Sequence, residues 1–147
     1  MFRSLSLLVF CLAMAAPEGS EKKNNDPKKL EATPEVGDLS GFYTVRGFDQ
    51  DKKVYSGVAT VKKANEVYLV FWHTGGGAAT TGIGIRQGDQ FSVGWALPTE
   101  KGVVRGVNVY RIAGKTEAPK MTGRWAAVPG NGVMNNETLT FLKNLES

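Results

Sequence analysis

Residues 66–97 read EVYLVFWHTGGGAATTGIGIRQGDQFSVGWAL. Three apolar or alternating runs lie in this stretch, broken by Gly75-Gly76-Gly77 and by Gly88-Asp89. In the last run Phe91, Val93 and Trp95 alternate with Ser92 and Gly94. A period of two with β-branched and aromatic residues marks strands that bury one face. The short glycine-containing breaks suit hairpins, and hence antiparallel neighbours.

The same pattern continues outward in both directions. GFYTVRGF and VYSGVATVKK precede the stretch, and VVRGVNVYRI, KMTGRWAAV and NETLTFLKNL follow it, giving eight runs in all. Tyr55, Gly57, Ala59 and Val61 share one face of the second run; Met121, Gly123 and Trp125 share one face of the seventh. In the eighth, Glu137 falls on the face of Leu139 and Phe141. The third run, Val67 to Trp72, is apolar on both faces and is expected to be covered outside by the tail, a loop or a partner. The only competing helical periodicity is a weak one at 138–145, so the last run could end in a helical turn. Interior glycines weaken strands unless something uses the missing Cβ. Here Gly57, Gly82, Gly84, Gly94, Gly106 and Gly123 suit a small, sharply bent barrel with rings lying over its backbone. The expected fold is all-β: an eight-stranded antiparallel up-and-down meander closed into a small barrel over residues 41–147.

Ahead of the barrel, residues 1–15 have the three-part form of a signal peptide. Arg3 supplies the charge, Leu5 to Leu12 the apolar run, and Ala13-Met14-Ala15 the small-residue cleavage pattern. The apolar run is far short of the roughly 20 residues that span a bilayer. Phe10 before Cys11 departs from a lipobox, which needs a small residue there. Export to the periplasm or the extracellular space is therefore expected, without lipid and with the single cysteine removed. Residues 16–40 carry no aromatic side chain and read as a disordered polar linker.

The opening Gly41-Phe42-Tyr43 and the meander that follows resemble the calycin group, lipocalins and avidins, which carry Gly-x-Trp where Tyr43 stands. The pattern also resembles uncharacterised exported all-β domains of bacteria such as planctomycetes. The resemblance implies the barrel and export. Calycins bind small apolar molecules, glycans, peptides or proteins, so it selects no ligand.

Chemistry-bearing residues are sparse. One histidine and one cysteine exclude the usual zinc sites, a Cys–His dyad and a disulfide framework. His73 stands at a strand end with no nucleophile pattern nearby. Gly75-Gly76-Gly77 lacks the Lys-Ser/Thr and the helix of a phosphate loop. Asp49, Asp51 and Glu66 suit turn formation as well as acid catalysis. No catalytic residue, cofactor or metal is expected, and a small hydrolase or isomerase ranks last. Residues 41–147 carry 13 basic and 8 acidic side chains, net +5, with Arg86, Lys101, Arg105 and Arg111 expected on the outside. Without interleaved aromatic platforms this does not make a nucleic-acid site.

The expectation is thus a non-enzymatic module that takes a small apolar or glycan-like ligand at the barrel mouth. Its candidate residues are Tyr43, Tyr55, Trp72, Trp95, Trp125 and Glu137. The alternative is a protein-interaction, inhibitor or envelope-associated module working through loops and the outer barrel face.

Overall fold

A computed structural model describes residues 37–75 and 79–146. The signal peptide and most of the linker lie outside the described residues. Eight strands follow in order: β1 (Gly41–Phe48), β2 (Val54–Ala64), β3 (Val67–Thr74), β4 (Ala79–Gln87), β5 (Gln90–Thr99), β6 (Gly102–Lys115), β7 (Ala118–Val128) and β8 (Asn135–Lys143). Each pairs antiparallel with the next, and β8 returns to β1 to close the barrel. The closing register sets Gly47 opposite Glu137 and Val45 opposite Leu139. Closure leaves no free sheet edge, the usual liability of an all-β domain.

The inward face follows the alternation. Tyr43, Val45, Ala59, Val61, Tyr68, Val70, Trp72, Phe91, Val93, Tyr110, Ile112, Met121 and Leu139 form the core. Asn65 and Gly88 begin the tight β2–β3 and β4–β5 turns at φ +57° and +59°, a conformation that Asn and Gly tolerate. β5 and β6 run further than their apolar patterns. Pairing continues to Thr99 and Gly102, where the Thr99 hydroxyl donates to the Gly102 carbonyl at 2.7 Å. β8 stays a strand to Lys143; pairing with β1 takes the backbone groups that a helical turn would need.

The up-and-down order puts the β2–β3, β4–β5 and β6–β7 turns at one end, together with the entry of the chain into β1. That end is plugged, and here the expected linker boundary is corrected. Leu39, placed in the linker from sequence, is fully buried. Its carbonyl accepts a bond from the Tyr43 hydroxyl at 2.7 Å. Arg86 Nη1 donates to the Gly37 carbonyl at 2.6 Å, and Ser40 Oγ accepts from the Lys63 amide at 3.0 Å. A lone apolar residue in a polar stretch gives no periodic signal, but the barrel end offers it an apolar seat. On β3, Val67 and Leu69 are half-buried on the outer face, whereas Phe71 is exposed.

Candidate functional site

The other end of the barrel carries the β1–β2, β3–β4, β5–β6 and β7–β8 connections and is hollow. A cavity of about 280 Å³ opens there. Its aromatic wall is Tyr55 from β2, Trp72 from β3, Trp95 from β5 and Trp125 from β7. Thr74, Thr80 and Leu97 complete the sides, Asp49 stands on the first connection, and Asn108 and Glu137 supply inner polar groups. Strand direction explains the gathering. Trp72 comes late in its strand, as do Trp95 and Trp125 in theirs, and these three run toward the mouth. Tyr55 and Glu137 come early in strands that run away from it.

Missing side chains hold two of the aromatics in place. At Gly106 a Cβ would overlap the Trp95 ring and stand 2.5 Å from the Ala126 carbonyl oxygen. At Gly47 it would come within 2.6 Å of the Tyr55 ring and hydroxyl. Each ring lies flat over a stretch of bare backbone. Trp95 and Trp125 then meet edge to face, with centroids 6.1 Å apart and planes at 66°.

Glu137 is the only acidic residue in any strand of the described residues, and it is 4% exposed. Tyr55 Oη donates to its Oε2 at 2.6 Å. Asn108 Nδ2 donates to Oε1 at 2.9 Å, and the Tyr110 hydroxyl donates to the same oxygen. Asn108 is fixed in turn, its Oδ1 accepting from Trp95 Nε1 at 2.7 Å. A buried carboxyl must find partners, and here neutral donors supply them. The ion pairs among the described residues are Arg111–Asp89 and Lys143–Glu146, neither of which involves Glu137. Lys52 approaches the same region but bonds Asn135 Oδ1 at 2.7 Å.

Burial therefore pushes the Glu137 carboxyl above its ordinary value, while the bonds from Tyr110 and Tyr55 pull it down without cancelling that effect. Burial, and then the nearby carboxyl, push the Tyr55 and Tyr110 hydroxyls far up, so both stay protonated donors. The indole N–H groups of Trp72 and Trp125 are buried and face the Glu137 carboxyl and the Tyr55 hydroxyl, whose values they help to lower.

Five of the six expected ligand residues meet at this cavity. Tyr43 does not. It is fully buried at the plugged end, bonded to Leu39 and packed edge to face on Phe141 with centroids 5.6 Å apart. It faces inward as expected, but early in a strand that runs toward the mouth, so it lies at the opposite end. Asn108 and Tyr110 were absent from the sequence-based site. The signal for Asn108 was an amide on the inward parity of β6, between Gly106 and Tyr110.

Of the other polar candidates, Asp49 reaches the rim of the cavity and His73 does not. His73 is exposed on the outer face of β3. Asp49 shapes its turn, with Oδ1 accepting from the Asp51 and Lys53 amides at 2.9 and 2.8 Å. Gly76 and Gly77 lie outside the described residues. Among the described residues, no group of three or more His, Cys, Asp or Glu is placed to hold a metal ion.

No family model and no curated protein matches the chain. Among solved structures it is similar to a redesigned β-barrel at TM-score 0.56 and 14% identity, covering 71% of this chain and 92% of that one. It is also similar to the redesigned barrel mFAP1, solved bound to DFHBI, at TM-score 0.53 and 10% identity, covering 71% and 94%. The likeness is one of fold.

Proposed function

We propose that the protein is an exported, non-enzymatic, calycin-like binding module that holds a small molecule in the mouth of its barrel. The observation that carries this reading is the cavity walled by Tyr55, Trp72, Trp95 and Trp125, with a fully hydrogen-bonded carboxyl inside. Its volume of about 280 Å³ is near the lower end, about 300 Å³, of ordinary ligand pockets, and it combines apolar walls with few polar groups as such pockets do. That mFAP1 was solved with DFHBI bound supports the view that a barrel of this form can house a compact ligand. Small apolar molecules and single sugar rings are of a size to enter.

The test is a titration of intrinsic tryptophan fluorescence with neutral compounds of that size, such as 2-naphthol and methyl glucoside. Saturable quenching by at least one is expected, and it should be lost in Trp95→Ala or Trp125→Ala. Absence of any saturable response to these compounds and to charged compounds of the same size refutes the reading.

A second reading rests on the outer wall. Leu69, Ile83, Gly94 and Val107 are laterally paired neighbours across β3 to β6, and Ile83 and Val107 are 59% and 57% exposed. Such a patch suits a protein partner, and a polar substitution of Ile83 that left ligand binding intact would separate the two roles.

A further inference from the structure

The distribution of charge over the barrel is lopsided. In the described strands every charged side chain except Glu137 is a Lys or Arg. The cavity reverses this: its charged lining is Asp49 and Glu137, with no Lys or Arg among the lining residues. A basic protein has thus put a carboxyl in an aromatic hollow and, among the described residues, given it no cation. An unpaired buried charge is costly, and natural sites keep one where a ligand or metal completes it.

The walls point to the same complement. A cation is attracted to the faces of Trp and Tyr rings, most strongly where water is excluded. Trp95 and Trp125 meet at 66°, and Trp72 and Tyr55 line the same space.

Resting on the ligand-binding reading above, we infer that the mouth of the barrel recognises a small organic cation, such as an ammonium compound or its N-methylated form. The cationic group sits among the aromatic rings and compensates Glu137. Glu137 is held ready by Tyr55, Tyr110 and Asn108, so its orientation is set before the ligand arrives. The basic outer wall does not compete for such a ligand.

The probes are choline and its neutral isostere 3,3-dimethyl-1-butanol. Each is titrated into the full chain and followed by tryptophan fluorescence and calorimetry. Choline is expected to bind at least about tenfold more tightly than the neutral isostere. In Glu137→Gln, which keeps an acceptor and removes the charge, the preference for choline over the isostere should collapse toward unity.

Equal binding of choline and the isostere to the wild-type protein overturns the cation assignment and leaves the binding module standing. Failure of these probes and of the neutral panel alike overturns both the inference and the reading on which it rests.

Discussion

Replacing Glu137 separates two things that the structure combines: a hub of hydrogen bonds and a charge kept from water. In Glu137→Ala three donors lose this acceptor: Tyr55 Oη, Asn108 Nδ2 and the Tyr110 hydroxyl. Tyr55 is half-buried beside the cavity and can turn to water. Asn108 Nδ2 keeps the Tyr110 hydroxyl as an acceptor. Tyr110 is 1% exposed and cannot reach water. One stranded group at about 1–3 kcal/mol and two lost bonds at about 1 kcal/mol each, less the relief of removing a desolvated carboxyl, give a net loss of about 3 kcal/mol. For a domain of this size that lowers Tm by roughly 4–8 °C per kcal/mol. Glu137→Gln keeps an acceptor for Tyr110 and Asn108 and turns its amide toward Tyr55, whose oxygen can accept; it should stay within about 1 kcal/mol of wild type.

The pH dependence carries the sharper test. Burial holds the folded carboxyl above the 4.5 of a free glutamate, so the folded chain binds this proton more tightly than the unfolded chain. The stability Glu137 contributes is complete below pH 4.5 and is lost as pH rises through the raised folded value. The Gln variant lacks this loss. It should therefore gain on wild type as pH rises from 4, by at most about 1.4 kcal/mol per pH unit within that window. Urea unfolding at a series of pH values between 4 and 8 measures the difference. A gap that stays constant or moves against Gln with rising pH would refute the placement of an unpaired, buried carboxyl, as would an Ala variant as stable as the Gln variant.

Three further outcomes follow from the packing. Gly106→Ala drives a methyl into the Trp95 ring and against the Ala126 carbonyl; a loss of about 1–3 kcal/mol and a shifted tryptophan emission are expected, and an unchanged spectrum would mean that the ring does not lie over this residue. Leu39→Ala should cost about 2–5 kcal/mol although its neighbours in sequence are polar, and a chain begun at Gly41 should melt well below one begun at Gly37; equal melting temperatures would show that the plug does not pack. Tyr43→Phe removes a buried hydroxyl bonded to the Leu39 carbonyl and should lose about 1–2 kcal/mol with ligand affinity at the mouth unchanged, an effect on affinity being the result that contradicts its place at the far end.

Alternation alone determined the barrel's inner and outer faces, because a strand has a period of two and only one face can meet the core. It put Glu137 inward beside Leu139, and the bare position at Gly106 marked where a ring could lie. Position within each strand, taken with its direction, also carries height along the barrel; that signal separates Tyr43 from Tyr55, although both face inward. Two features were beyond the sequence. The packing of Leu39 depends on an apolar seat built by residues far along the chain. The convergence of Tyr55, Asn108 and Tyr110 on Glu137 joins β2 and β6 to β8 across the interior. None of those contacts is between paired neighbours: Tyr55 and Tyr110 each reach Glu137 over one intervening strand, at Gly47 and at Gly123, and only the registers of the closed barrel, of which local pattern holds no record, put them in one row.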